Sequence, residues 1–519
     1  MKNTRFIIVT ALIVALGGFL MGFDASVISG VNKFIELEFD LTKLQLGWAV
    51  ASLTLSATVA MMLAGPLSDR FGRKKILNYA ALLYFISAVG SALAPSFMIL
   101  VIARMIGGLG VGASLIIAPM YIAEISPPAM RGRMVSFNQL NIVLGISAAF
   151  FTNYMILQLG QSEATWAQNF KFAEYNWRWM LGLEALPAIL YFVGLILVPR
   201  SPRWLVMKGE LDEALQVMTR ASGPTEAQQF IDDVQKSLSE NTQKNKLPIK
   251  ELFKPALKLV LSIGIVVAVL QQITGINSVF FYAPMIFEQS GIGTDASFVQ
   301  AILVGLVNLV FTILAILFID KFGRKPLLIA GVGGIVVFMF LLSYGFKQAT
   351  YTLSESSLTS LPAEINQESL GALLGETFNS DLKYKAALQE TLGPEVAQTY
   401  ESELITAAAK VNSMLILISI LGFVASFAIS IGPVMWVLFS ELFPNFIRGL
   451  AISFVGLINS GVSFLVQFVF PWELANFGTS LTFLIYGVFA AIGLAFIIMI
   501  VPETKGKSLE ELEKLLVKT

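Results

Sequence analysis

The chain is predicted to be an all-α polytopic membrane protein with twelve transmembrane helices in two six-helix halves. Composition is the first reason: of 519 residues, 56% are hydrophobic and 13% charged, with a mean hydropathy of +0.75. Soluble proteins carry about 25% charged residues, so this much apolar surface has no place in a water-soluble fold. The second reason is a repeat. Asp69-Arg70-Phe71-Gly72-Arg73-Lys74-Lys75 returns as Asp320-Lys321-Phe322-Gly323-Arg324-Lys325, each time between two long apolar stretches. The third is another repeat in the same order, because Glu124 and Arg131 stand seven residues apart, as do Glu441 and Arg448. Two halves with the same elements in sequence imply internal duplication, and a charged hairpin repeated between membrane spans points to a transporter.

Roughly twenty apolar residues cross a bilayer as helix. Candidates fall near 6–30, 45–67, 76–94, 97–121, 134–159 and 177–199 in the first half, and 256–288, 296–319, 327–346, 411–439, 449–471 and 478–501 in the second. Lys2 and Arg5 before the first apolar run resemble a signal peptide, but no small-residue cleavage site follows and the run continues through Asp24 toward Gly30. A retained first helix is expected. Arg70, Arg73, Lys74, Lys75, Arg131, Arg133, Arg200, Arg203, Lys321, Arg324, Lys325 and Arg448 all fall in alternate loops, which the positive-inside rule assigns, with both termini, to the cytoplasm. The opposite loops are acidic, with Glu36, Glu38, Asp40, Glu163, Glu174, Glu288 and Asp295.

These assignments divide the chain into an N-terminal bundle (1–200), a linker (201–250), a C-terminal bundle (251–501) and a tail (502–519). The linker alternates apolar and charged residues at helical spacing, which predicts short cytoplasmic helices. A polar run at 347–410 interrupts the second half, with nine acids against four lysines. It faces outward, and a loose loop, a lid and a partner surface all remain open for it.

The absence of cysteine excludes disulfides and thiol chemistry, and the absence of histidine leaves any proton-linked step to carboxylates. No phosphate loop or metal-ligand cluster is present, so neither an enzyme nor a cofactor or metal is expected, and nothing points to nucleic acid. A membrane sensor would need a signalling extension, which the short charged tail does not supply.

Two charges fall inside apolar helices, Asp24 in GFDASVISG and Arg104 in IARMIGGLGVG. A lone ionised side chain there costs several kcal/mol, so pairing is the economical solution. Pairing favours the ionised carboxylate and separation favours the protonated one, so motion could drive proton uptake and release; a static buried pair is the plainer alternative. Amides interrupt other spans: Gln139, Gln271, Gln272, Asn277, Asn308 and Asn459, with Trp436 nearby in the sequence of the tenth. Amides donate and accept at once and suit a ring of hydroxyls, and an indole face suits stacking of a pyranose. Gln272 and Asn277 are the less divergent pair on their helix, although hydrogen bonding between helices would need the same residues. Gly108 and Gly112 are spaced for close helix packing, and Gly432-Pro433 should weaken the tenth span near Trp436.

The hairpins, with RSPRWL at 200–205 and PETKG at 502–506, resemble the sugar porter family of the major facilitator superfamily over nearly the whole chain except 347–410. The resemblance implies two six-helix bundles around a cavity that opens alternately to either side of a bacterial inner membrane, in a monomer surrounded by lipid. It implies sugar contacts at Gln139, Gln271, Gln272, Asn277, Asn308, Trp436 and Asn459, and an extracellular gate at Phe280, Phe281 and Tyr282, where plain packing is the alternative. Asp24 matches the acid of proton-using members, and Glu184 an acid of bacterial proton symporters, so Asp24, Arg104 and Glu184 are the expected coupling residues. Asp69, Arg73, Glu124, Arg131, Asp320, Arg324, Glu441 and Arg448 are expected to clamp helices in the outward-facing state and to separate on inward opening. Ile146 and Ser460 depart from residues common in relatives and leave the sugar open. The expected function is monosaccharide uptake with a proton, for example of glucose, xylose or galactose, with passive facilitation as the alternative.

Overall fold

The computed structural model describes residues 4–241, 248–359, 361–362, 364–444, 447–507 and 509–516. Eleven of its helices are long and apolar enough to cross a membrane. In order they are Thr4–Glu38, Lys43–Phe71, Arg73–Ala92, Phe97–Ile125, Met130–Gly160, Asn176–Leu197, Pro255–Glu288, Thr294–Ile319, Arg324–Lys347, Ser413–Leu442 and Arg448–Ile500. The last is 53 residues long and breaks at Gly478, where φ is 73°, so it supplies an eleventh and a twelfth span. The repeated hairpin glycines explain the reversals between the second and third spans and between the eighth and ninth. Gly72 and Gly323 take φ values of 96° and 92°, a region a side chain disfavours.

The chain forms two compact units that do not follow the sequence halves. The first takes 1–27, 52–149 and 174–248; the second takes 28–51, 150–173 and 249–519. In the first unit, Leu77, Tyr84, Tyr121, Ile122 and Tyr191 are fully buried in one apolar cluster. The second and fourth spans touch backbone to backbone, because a Cβ at Gly108 would stand 2.3 Å from the Leu53 carbonyl oxygen and one at Gly112 2.1 Å from that of Ala57. Three short helices, Pro202–Lys208, Leu211–Ser222 and Pro224–Asn241, occupy the linker, and the Ser201 hydroxyl caps the first by accepting from Trp204 N.

In the second unit, two spans are broken. The seventh consists of Lys258–Ile273 and Ile276–Glu288 around Gly275, whose φ is 87°. The tenth stops at Ile429 and restarts at Ile431, so its break lies at Ser430, just before Gly432-Pro433. The far end of the first span belongs here too, with Asn32 donating to the Phe281 carbonyl at 2.8 Å.

The 347–410 insertion, a polar run by sequence, is folded. Strands β1 (Thr350–Thr352), β2 (Thr377–Phe378) and β3 (Ala409–Lys410) form an antiparallel sheet in the order β2-β1-β3. Its helices bury Leu370, Tyr384, Leu388, Leu404 and Ile405 against Tyr351 and Leu353, and the Tyr351 and Tyr384 rings stack at 5.3 Å. Isolated apolar residues among many polar ones hid this core from a reading by average composition.

Candidate substrate and coupling sites

The break in the seventh span brings four predicted amides into one hydrogen-bonded network. Gln271 donates to the Ile431 and Gly432 carbonyls, both at 3.2 Å, where the tenth span restarts after its break. Asn459 donates to Gln271 Oε1 at 2.8 Å and to the Ala268 carbonyl at 2.9 Å, and accepts from Gln272 at 3.2 Å. Asn277, beyond the break, donates to Gln272 Oε1 at 2.8 Å and to Ser463 Oγ at 2.7 Å. Gln467 also donates to Ser463, at 2.7 Å, and the Tyr282 hydroxyl donates to the Gln467 carbonyl at 2.9 Å. Sequence reasoning missed Ser463 and Gln467. Their signal was present, because Asn459, Ser463 and Gln467 recur every four residues along an apolar helix.

Among the described residues the remaining predicted contacts make no hydrogen bond to this network. Trp436 is 47% exposed, with its ring edge-on to Phe439 and Gly456 beneath it. Asn308 is buried on the eighth span, and Gln139 is exposed on the fifth span in the first unit. Phe280, Phe281 and Tyr282 are buried, and Tyr282 leaves helical geometry at φ −131° and ψ 19°.

In the first unit, Asp24 Oδ1 lies 3.4 Å from Arg104 Nη1, and each residue is 1% exposed. Asp24 Oδ2 has no hydrogen-bond partner among the described residues. Gly107 makes the approach possible, since a Cβ there would come within 2.4 Å of Ser87 Oγ and 2.7 Å of Asp24 Oδ2. Glu184 is buried as well, with Oε1 unpartnered among the described residues, and interacts electrostatically with both Asp24 and Arg104. The constellation is one cation and two carboxylates in an apolar interior, which can carry a proton without leaving every charge uncompensated.

At the opposite ends of the spans, the repeated charges form matching clusters inside each unit. Arg73 chelates Glu124 through Nε and Nη2, at 3.1 Å for the closest contacts, and reaches Asp69 at 2.8 Å. Arg324 reaches Glu441 at 2.8 Å. Each glutamate also accepts a hydroxyl from a motif that sequence reasoning used only for recognition: Ser201 of RSPRWL donates to Glu124, and Thr504 of PETKG donates to Glu441 at 2.6 Å. Glu503 accepts from the Arg324 and Lys325 amides, both at 3.1 Å, at the start of the ninth span. Arg131 is exposed and Arg448 donates to the Phe443 carbonyl; neither forms an ion pair among the described residues. The Asp320 side chain lies outside the described residues. The observed pairs thus join helices within a unit, Arg73–Glu124 in the first and Arg324–Glu441 in the second.

Residues 10–361 and 392–516 match the family described as sugar (and other) transporter. The chain is 35% identical over 513 residues to the arabinose-proton symporter of Bacillus subtilis, covering 99% of this chain and 96% of that protein. It is 34% identical to the D-xylose-proton symporter of Escherichia coli, with the same coverage. The solved structure of the xylose transporter XylE from E. coli in a partially occluded inward open conformation matches at a TM-score of 0.73 and 31% identity, over 97% of this chain and all of that one. The fold and its buried polar sites therefore define a multi-pass membrane transporter of the major facilitator type. Within that class the chain belongs to the sugar porter family, and its relatives are transporters rather than enzymes.

Proposed function

We propose that this protein is a proton-coupled monosaccharide symporter that works by alternating access, with two six-helix halves at 1–200 and 251–501 and the charged hairpins and termini in the cytoplasm. The observation that carries the coupling is the buried Asp24–Arg104 pair, 3.4 Å apart, with Asp24 Oδ2 unpartnered among the described residues, in a chain without histidine. Ionised Asp24 is compensated by Arg104. A movement that parts them favours the protonated acid, so that a proton enters on one side and leaves on the other, with Glu184 assisting. The amides Gln271, Gln272, Asn277 and Asn459, with Ser463, offer donors and acceptors to sugar hydroxyls, and Trp436 an apolar face. Gln139 and Asn308 complete the sugar contacts on this reading, and Phe280, Phe281 and Tyr282 gate the outer side. The names of relatives that carry arabinose or xylose with protons support a pentose among the monosaccharides.

The test is uptake of labelled arabinose, xylose, glucose and galactose into proteoliposomes with and without an imposed proton gradient. Accumulation of one sugar above equilibrium only with the gradient is expected. Equilibration that ignores the gradient would make the protein a passive facilitator and Asp24 a structural residue.

A further inference from the structure

The folded insertion touches helices of both sequence halves, all within the second compact unit. Toward the second half, Asp381 Oδ2 accepts from the Thr479 amide and hydroxyl, each at 2.9 Å, beside the Gly478 break. Lys385 bridges Glu401 at 2.7 Å and Gln289 at 2.8 Å, at the end of the seventh span. Toward the first half, Gln398 donates to Glu36 at 3.3 Å, and Glu403 stands 3.9 Å from Lys33 Nζ. Lys33 also reaches Thr294 at 2.8 Å and Glu288 at 3.6 Å, while Lys43 pairs with Glu36.

We propose that 347–410 is an extracytoplasmic strap that ties the outer ends of the first and second spans to the seventh and thereby favours the state closed to the outside. The inference rests on the alternating-access reading above. Entry of a solute from outside requires the first and second spans to part from the seventh, which breaks Asn32–Phe281, Gln398–Glu36 and Lys33–Glu403 together. The Asp381 and Lys385 contacts lie wholly within the second half, so they hold the cap to it while the far contacts release. Burial opposes ionisation of Glu401, but Lys385 and Lys43 hold its carboxyl down at about 2. That anchor stays charged at neutral pH.

The chain has no native cysteine. Ser29→Cys, a conservative change at a buried position one helical turn from Asn32, therefore reports outer opening through its rate of reaction with a membrane-impermeant maleimide. Adding Gln398→Ala and Glu403→Gln removes both contacts and should raise that rate about fivefold, the lower end of the usual coupling range. An unchanged or slower rate overturns the strap. In a second variant, Glu36→Cys with Gln398→Cys, joining the two thiols by a short bis-methanethiosulfonate linker should stop sugar uptake until reductant is added. Undiminished uptake by fully linked protein also overturns it. The labelling needs neither sugar nor proton gradient, so failure of the strap is separable from failure of the symport reading.

Discussion

Replacing Asp24 by asparagine removes one ionisable group and almost no volume. The amide keeps an oxygen where Asp24 Oδ1 faces Arg104 at 3.4 Å, and its other atom still fits beside Gly107. The stability loss should therefore stay below the 3–5 kcal/mol, on the order of magnitude, that follows deletion of one partner from a buried pair. The coupling loss should be complete. An imposed potential of about 150 mV acting on one proton supplies roughly 3.5 kcal/mol, or on the order of 300-fold accumulation. Without a group that takes up the proton the ratio falls to about one, whereas exchange of labelled for unlabelled sugar needs no net proton movement and persists. The assay is gradient-driven uptake beside counterflow in the same proteoliposomes. Uphill accumulation that survives in Asp24→Asn, with counterflow intact in both proteins, would refute the role given to this carboxylate.

Asn459→Ala removes an amide hydrogen-bonded to Gln271, Gln272 and the Ala268 carbonyl, and should weaken apparent sugar affinity roughly tenfold, about 1–2 kcal/mol, while Asn476→Ala, exposed near the far end of that helix, leaves it unchanged; saturation uptake compares them. Gly108→Ala drives a methyl against the Leu53 carbonyl and should cost about 1–3 kcal/mol, read as a lower thermal midpoint in detergent; an unchanged midpoint would argue against close packing of the second and fourth spans. Arg73→Ala leaves Glu124 buried without its cation, and should lower the midpoint more than Arg324→Ala, whose partner Glu441 is more exposed. Glu401 has its pKa lowered, so its contribution is full above the ordinary value of about 4.3 and is lost as pH falls toward about 2. Cap unfolding followed by proteolysis of the insertion should therefore accelerate within that window and stay flat from pH 5 to 8.

The membrane fold was legible because a bilayer imposes a simple rule. Every backbone group must be paired within its own segment, so length and apolarity suffice to find the spans. The duplicated hairpins revealed the two halves for a similar reason: Gly72 and Gly323 need the same turn, and Arg73 and Arg324 each need a glutamate, Glu124 and Glu441. Pairing of Asp24 with Arg104 could be argued from cost alone, because an uncompensated charge has no other remedy in that interior.

Other features depended on which atoms meet. Asn459, Ser463 and Gln467 are far in sequence from Gln272 and Asn277, and only folding around the breaks at Gly275 and Ser430 brings their polar groups and the Gly432 carbonyl together. The hydroxyls of Ser201 and Thr504 became partners of Glu124 and Glu441 only once the chain after each half folded back. The clearest case is the insertion. Its composition says only that it is polar, but a small core around Tyr351 and Tyr384 and a set of charges against Lys33, Glu36 and Gln289 give it a shape. Sequence by itself determined the membrane spans, their repeat and the charges that needed partners, because solvation acts on each residue where it stands. Tertiary structure decided which partners they found, because hydrogen bonds and ion pairs depend on distances of a few ångströms between residues that sequence separates by hundreds.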